Sequence, residues 1–288
     1  MDDPLLVHEP ITRLAIFVAT FVVMAGWEVL SPRRRQRYPR SARWPHNLGL
    51  LAVDVLAVRL LAPAAAIAVA IASEAEGRGI LRMVGLPDWA NILIGFVLLD
   101  LAIYLQHVSF HALPTLWRLH RVHHADPDLD VTSGTRFHPI EILISVMIKC
   151  IAVAVIGAPV VAVFFFEIVL NATAMFNHAN ANIASRLDRW IRWLIVTPDM
   201  HRVHHSCVTL ETNSNYGFNL ACWDRLFGTY RAQPAEGHER MTLGVGRFDQ
   251  AADQRLAQLL IQPFEAEPAI TESKSRPSDN GPSSTPNR

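Results

Sequence analysis

Histidine is the residue type in this sequence whose number and spacing could do chemistry. The chain contains thirteen histidines, and eight of them form three motifs: His107-Val-Ser-Phe-His111, His120-Arg-Val-His123-His124 and His201-Arg-Val-His204-His205. The last two motifs are the same pentad with the same Arg-Val filling. In a helix, residues at i, i+3 and i+4 share one face. We therefore expect each motif to present two or three imidazoles to one point.

Imidazoles grouped in this way favour transition-metal binding. Neutral imidazole is the commonest ligand of transition metals, and a set without thiolate suits iron, copper or zinc. Eight ligands exceed the three or four protein ligands of one catalytic zinc site, so a pair of metals is predicted. Isolated histidines are more often surface or hydrogen-bonded core residues, and we interpret His8, His46 and His238 in this way. Packing alone does not explain two identical pentads.

The elements that must position these motifs are predicted to be membrane helices. Hydrophobic residues make up 51% of the chain and charged residues 18%, against about 25% charged in soluble domains. A spanning helix needs about 20 mostly apolar residues. Four apolar stretches meet or exceed this length: Ile11–Leu30, Leu48–Ala72, Trp89–His111 and Ile140–Phe176.

The fourth stretch is too long for one span and is interrupted by Gly157-Ala158-Pro159. We expect a helical hairpin of two spans, residues 140–157 and 160–176. Lys149 and Glu167 are each nine residues from Ala158, so we predict that they pair across the hairpin. The predicted fold is an all-α integral membrane bundle, about three spans plus the hairpin, with a cytoplasmic helical cap that holds a histidine-rich dimetal site.

Arginines after the first span set the predicted orientation. Asp2, Asp3 and Glu9 precede that span, so it does not resemble a cleaved signal peptide. Positive charge beside a span marks the cytoplasmic side, which would place the N-terminus outside and all the histidine motifs at the cytoplasmic face. The arginines are Arg33, Arg34, Arg35, Arg37, Arg40 and Arg43.

Composition divides the chain and excludes several classes of protein. We expect an N-terminal transmembrane region (1–94), a catalytic region (95–232), a cytoplasmic extension (233–262) and a disordered tail (263–288). Lys and Arg together number 26, as do Asp and Glu together. The chain therefore lacks the excess of positive charge that is typical of a nucleic-acid binder. The three cysteines form no CxxC pair, so disulfides are not expected.

The order HxxxH, HxxHH, single His178, HxxHH resembles the fatty acid hydroxylase/sterol desaturase superfamily of integral-membrane di-iron enzymes. The resemblance covers roughly residues 95–232. Supporting phrases are Asp100-Leu-Ala-Ile-Tyr104-Leu-Gln-His107, Phe137-His138-Pro139-Ile140-Glu141, Thr197-Pro198-Asp199-Met200-His201, Asn215-Tyr216-Gly217 and Trp223-Asp224-Arg225-Leu226-Phe227-Gly228-Thr229-Tyr230.

The resemblance implies two non-haem irons and O2 as cosubstrate, acting to hydroxylate or desaturate a fatty acyl, sterol or related isoprenoid lipid. Some members have HxxxH at the third motif, where this chain has His178 and Asn182. Either one ligand is absent or His138 replaces it, although before Pro139 His138 could instead cap the hairpin. The ligands implied by the resemblance are His107, His111, His120, His123, His124, His178, His201, His204 and His205.

Three further residues are candidates to hold ligand imidazoles in place. Asp224 and Asn215 stand in the family-like phrases. Asp100 lies within the third span, where a carboxylate is costly and marks function by default. Two helical turns separate it from His107, about 10 Å, and we therefore favour an ion pair between Asp100 and Arg59 at similar depth.

Two classes of function follow. The first is an O2-dependent lipid oxidoreductase, which would need an external electron donor (a cytochrome, ferredoxin or reductase) because no GxGxxG is visible. The alternative is a metal-binding or metal-transporting membrane protein without oxidase chemistry, whose ligands should lie near the membrane midplane. A haem cytochrome would need axial histidines within paired spans, and a zinc hydrolase does not need nine histidines.

Overall fold

The computed structural model describes residues 8–62 and 65–266. Within these ranges the chain is helical, and β pairing is limited to isolated bridges, so the all-α prediction is confirmed. Short 3-10 turns cover Ser133–Thr135 and Gln262–Phe264. The α-helices are α1 Glu9–Leu30, α2 Arg40–Leu61, α3 Ala65–Ala75, α4 Ile80–Val84, α5 Asp88–Ala112, α6 Pro114–His124, α7 Pro139–Ile156, α8 Val160–His178, α9 Ser185–Ile191, α10 Pro198–His204, α11 Thr209–Thr212, α12 Cys222–Leu226, α13 Gly237–Arg240 and α14 Leu256–Ile261.

Five segments of the described chain are long and apolar enough to cross a membrane: α1, the run 40–84, α5, α7 and α8. In the bundle, α5 packs against α7 and α8, and α1 packs against α8. The short helices α6 and α10, which carry the two pentads, lie against α5 and α8 respectively. The number of spans and the side of the membrane on which this cap lies stay predictions.

The second apolar stretch differs from the expectation of one helix over Leu48–Ala72. It forms two helices, α2 and α3, and Ala62 between them has φ −140° and ψ 53°. The next residue in the sequence is Pro63, and the residue before a proline is disfavoured in the α region. The helix also begins earlier than expected, at Arg40, so that its first turns lie within the arginine-rich segment.

The predicted hairpin is confirmed. α7 ends at Gly157, which has φ +69°, a left-handed conformation that glycine adopts without steric cost. Lys149 and Glu167 form the expected ion pair across the hairpin. Arg13 of α1 also pairs with Glu167, so one carboxylate joins three helices of the bundle.

A buried charge network attaches α2 to the loop that follows α6. Arg43 donates to Asp126 at 3.0 Å and to Asp130 at 2.8 Å, and all three side chains are fully buried. A buried guanidinium requires such partners, because an unpaired charge in the interior is strongly unfavourable. Arg43, which we interpreted from the sequence as a topology marker, therefore also positions the loop after the first pentad.

The chain after α14 stays packed beyond the point where we expected a tail. The 3-10 turn Gln262–Phe264 lies against α6, where Arg118 Nε donates to the carbonyl of Pro263 at 2.7 Å. The tail therefore does not begin at residue 263, because backbone carbonyls there accept hydrogen bonds from α6. The remainder of the predicted tail, residues 267–288, lies outside the described residues.

Candidate metal centre

The nine histidines implied by the family resemblance lie in two adjoining groups. In each group the potential ligand nitrogens all lie within 4.8 Å of one another. His111 is half-buried and the other eight are buried. The first group is His107, His111, His120, His124 and His204, and the second is His123, His178, His201 and His205.

Each motif places two imidazoles in one group, as expected, and each pentad also contributes its third imidazole to the other group. His120 and His124 belong to the first group and His123 to the second. Residues i and i+4 share a helix face, whereas neighbouring residues point about 100° apart at 3.6 residues per turn. The second pentad divides in the opposite sense: His204 joins the first group, and His201 and His205 join the second.

Nitrogens within each group converge at short distances. In the first group, His107 Nε2 lies 3.1 Å from both His120 Nε2 and His204 Nε2. In the second, His178 Nε2 lies 3.0 Å from both His123 Nε2 and His201 Nε2. Two nitrogens that bind one cation at about 2.1 Å are about 3.0–3.4 Å apart at right to tetrahedral angles, so the observed spacing fits shared metal ligands.

The hydrogen bonds of His107 and His204 leave their facing Nε2 atoms available to bind a cation. His107 Nδ1 lies 2.7 Å from the Tyr216 carbonyl, and His204 Nδ1 lies 2.7 Å from the Ser214 carbonyl. A carbonyl only accepts, so each Nδ1 carries the proton and each neutral ring has a bare lone pair on Nε2. The facing Nε2 atoms therefore have no proton to share, and a bound cation would relieve their repulsion.

The same arrangement occurs in the second group. His178 Nδ1 donates to the Ala174 carbonyl at 2.7 Å, and His123 Nδ1 donates to the Arg136 carbonyl at 3.2 Å. Their Nε2 atoms are 3.0 Å apart. Because backbone carbonyls set the tautomer in both groups, each group is built to present lone pairs.

Burial keeps the imidazoles of the cap in their neutral, ligating form. Burial lowers the pKa of His120 to about 3. The pKa values of five more are well below the ordinary range, through burial first and then neighbouring imidazoles: His123, His124, His201, His204 and His205. Both ring nitrogens of His124 and Nδ1 of His201 and His205 are buried without a hydrogen-bond partner among the described residues. This donor set fits two cations of the imidazole-binding transition metals.

Glu141 is a functional residue that the sequence reasoning missed. Its Oε1 lies 2.6 Å from His120 Nδ1, and the side chain is buried in the first turn of α7. A carboxylate that accepts from a ligand imidazole orients the ring and raises its basicity. The available signal was a carboxylate at the start of an apolar span, which we applied to Asp100 but not to Glu141.

Asp224 and Asn215 support the first group through the backbone. Asp224 accepts from the amides of Tyr216 and Gly217 at 2.7 and 2.9 Å, and the Tyr216 carbonyl in turn accepts from His107. Asn215, with φ +51°, donates from Nδ2 to the carbonyl of Met200 in α10 at 2.9 Å. Both side chains therefore influence the imidazoles indirectly, through the backbone groups that they bind.

Asp100 has different partners from the one that we favoured, whereas His138 has the capping role that we considered as an alternative to metal binding. Asp100 accepts from Trp223 Nε1 at 2.8 Å and from the Leu220 amide at 3.1 Å, so the favoured pairing with Arg59 is wrong. Both donors bind the same carboxylate oxygen, Oδ2. His138 lies outside both groups and caps α7, accepting from the Ile140 amide through Nδ1 at 3.2 Å.

A cavity of about 480 Å³ opens beside the first group, within the helical bundle. His107 and His120 form part of its wall, together with the rings of Phe110 and Phe137. The cavity continues along α7 past Glu141 towards Lys149. Its volume is in the range of small-molecule sites, and it gives a ligand direct access to the first group.

Comparison with known proteins agrees with this geometry. Residues 92–229 match the family model described as fatty acid hydroxylase. Ornithine lipid hydroxylase of Rhizobium tropici is 32% identical over 179 residues, 62% of this chain and 51% of that protein. Alkylglycerol monooxygenase of Xenopus tropicalis is 27% identical over 159 residues, 54% of this chain and 33% of that protein. Cholesterol 25-hydroxylase of Mus musculus is 24% identical over 148 residues, 50% of this chain and 48% of that protein.

This chain spans about half the length of these relatives or less. No solved structure matches it. The matched segment carries all nine histidines of the two groups, and the curated relatives are lipid hydroxylases and monooxygenases by name. Over residues 92–229 the chain is similar to the fatty acid hydroxylase family, as the order of its histidine motifs indicated.

Proposed function

We propose that this chain is a membrane-bound, O2-dependent di-iron oxidoreductase that hydroxylates a lipid, with residues 95–232 as its catalytic region. The observation that carries the proposal is the pair of imidazole groups whose Nε2 lone pairs face each other because their Nδ1 protons are donated to carbonyls. The names of the relatives favour hydroxylation over desaturation.

The two groups would each hold one iron. Non-haem iron held by these imidazoles would supply the O2-activating redox chemistry. In the overall reaction one oxygen atom enters a C–H bond of the lipid and the other leaves as water, which requires two electrons and two protons. The chain has no visible dinucleotide-binding motif, so we propose an external cytochrome, ferredoxin or reductase as donor.

The residues of the chain orient the ligands and exclude water. The backbone carbonyls of Tyr216 and Ala174 hold protons on Nδ1 of His107 and His178. Phe110 and Phe137 line the cavity beside the first group and would limit access of water to the reacting bond. We propose that the lipid enters from the bilayer and that the site lies at the cytoplasmic face, as the arginine distribution predicts.

Metal analysis of the purified full-length chain tests the proposal. We expect two irons per chain and, with a reductant and O2, a lipid product heavier by one oxygen atom. His204→Ala and His178→Ala each remove a ligand from one group and should abolish the product, whereas His46→Ala, outside both groups, should retain it.

Two outcomes would contradict the proposal. One zinc per chain, or no iron above the level of His204→Ala, excludes di-iron chemistry. Two bound metals together with unchanged lipids under aerobic, reducing conditions would favour the alternative of a metal-binding or metal-transporting protein without oxidase chemistry. Comparing the lipids of cells that carry the wild-type chain with those that carry His204→Ala gives the same distinction in vivo.

A further inference from the structure

The cavity beside the first histidine group contains more charge than a hydrocarbon chain requires. Its wall away from the histidines includes five charged side chains from α1, α2, α7 and α8: Arg13, Asp54, Arg59, Lys149 and Glu167. All five lie in segments that are long and apolar enough to span a membrane. Ionisable residues at such positions are rare, and they mark substrate and ion sites.

Two of these charges, on Asp54 and Arg59, have no ion-pair partner among the described residues. Lys149 and Arg13 both pair with Glu167, which explains three of the five. Asp54 is only 4% exposed, lines the cavity, and its Oδ1 has no hydrogen-bond partner among the described residues. Arg59, at the exposed rim of the same cavity, forms no ion pair with any described residue. A buried, unpartnered carboxylate is unfavourable unless a ligand pairs with it.

The charged region lies at a defined distance from the histidines. Glu141, which contacts His120, and Lys149 are eight residues apart on α7, or about 12 Å along the helix axis. Asp54 lines the same cavity from α2, which packs against α7. A ligand that reaches the imidazoles would therefore bring groups within about 12 Å of its reacting bond against Asp54 and Lys149.

We propose that the cavity binds a lipid with a zwitterionic headgroup, whose amine pairs with Asp54 and whose anionic group pairs with Arg59 and the cationic side of the Lys149–Glu167 pair. This inference rests on the proposed lipid hydroxylation and names its substrate class. An uncharged lipid would leave both Asp54 and Arg59 without partners. A lipid with one charge would satisfy only one of them, whereas a zwitterion satisfies both.

Binding of three lipids to the purified full-length chain, in detergent and without reductant, tests the proposal. The probes are an ornithine lipid, which has an amine and a carboxylate, phosphatidylethanolamine, which has an amine and a phosphate, and an uncharged alkylglycerol. We expect at least one zwitterion to bind about tenfold tighter than the alkylglycerol, the effect of one charge-assisted contact. The zwitterionic lipid that binds more tightly shows whether the cavity prefers a carboxylate or a phosphate. Equal binding of all three lipids would overturn the proposal.

Two variants assign the contacts. Asp54→Asn and Arg59→Gln should each weaken zwitterion binding about tenfold and leave alkylglycerol binding unchanged. Asp88→Asn and Arg186→Gln, both exposed and outside the cavity, are the matched controls. Unchanged zwitterion binding in both Asp54→Asn and Arg59→Gln would overturn the proposal.

A modified ligand tests the same contact on the wild-type chain, in case a variant does not fold. An N-acetylated ornithine lipid lacks the charge of the amine and should bind about tenfold more weakly than the parent lipid. Equal binding of the two would contradict the pairing with Asp54. Iron content and oxygen insertion are measured separately. Hydroxylation without headgroup preference would therefore refute this inference alone, whereas headgroup binding without iron would refute the proposed function.

Discussion

Glu141 accepts a hydrogen bond from His120, with 2.6 Å between Oε1 and Nδ1, and both side chains are buried. The contact joins the start of α7 to the first pentad in α6. It also leaves His120 Nε2 facing His107 Nε2 at 3.1 Å. The carboxylate of Glu141, in an otherwise apolar helix, therefore orients the His120 ring towards the other imidazoles of the first group.

Replacing this carboxylate should weaken the first group without unfolding the chain. Glu141→Gln keeps an oxygen that can accept from His120 but removes the negative charge, and loss of such a contact costs about 10–100-fold in metal affinity. We expect one iron per chain at a chelator concentration that leaves two in the wild type. Glu236→Gln, at an exposed position, serves as control. Equal chelator resistance in Glu141→Gln and the wild type would contradict this role.

Gly134 lies where the 3-10 turn touches α8. A Cβ at this position would lie 2.5 Å from the carbonyl oxygen of Ala174, which also accepts from His178 Nδ1. Gly134→Ala must therefore displace backbone that orients a ligand, and overpacking of this kind costs about 1–3 kcal/mol. We expect a lower melting temperature and loss of metal from the second group.

Gly26→Ala is the matched control for Gly134→Ala. A Cβ at Gly26, within α1, meets no atom within 4 Å. Alanine is favoured over glycine inside a helix by about 1 kcal/mol, so this variant should be neutral or slightly more stable. A melting temperature for Gly134→Ala equal to that of Gly26→Ala would show that the close approach does not matter.

The ion pairs of Glu167 predict unequal effects of two substitutions. Glu167→Gln leaves Lys149 and Arg13 without their shared carboxylate, and removing one partner of a buried pair costs about 3–5 kcal/mol. Lys149→Met removes a charge while Arg13 still pairs with Glu167, so we expect a smaller loss. Thermal unfolding in detergent measures both. Equal melting temperatures for the two variants would refute the three-residue arrangement.

Low pH should destabilise the metal-free protein. The pKa of His120 is lowered by burial to about 3, against about 6.5 in an unfolded chain. Between these values the unfolded state binds more protons, so the free energy of unfolding falls as the pH falls. Each such histidine contributes about 1.4 kcal/mol per pH unit. Five other imidazoles of the cap have pKa values well below the ordinary range.

Thermal unfolding of the metal-free chain between pH 8 and 5 measures this dependence. We expect a nearly constant melting temperature above pH 7 and a steady decrease below about pH 6.5. Bound metal should raise the melting temperature at each pH but keep the slope, because the folded imidazoles are unprotonated in this range with or without metal. A melting temperature that does not change between pH 7 and 5 would show that these imidazoles are not held neutral by the fold.

The sequence by itself determined the local features of this protein. The three histidine motifs, the hairpin and the Lys149–Glu167 pair follow from helical periodicity and from symmetry about Gly157-Ala158-Pro159, whereas His178 was implied by the family resemblance. These patterns depend on residues near one another in the chain or on a single turn. The break at Ala62 was also readable from Pro63, although we expected one helix there.

Only the tertiary structure decided how the histidines are shared. His123 and His124 are adjacent in sequence, yet they belong to different groups, because which face of a helix meets which partner depends on packing between distant segments. The same holds for Glu141 beside His120 and for Asp100 beneath Trp223. Each of these contacts joins side chains far apart in the chain, and no local pattern encodes the distance between them.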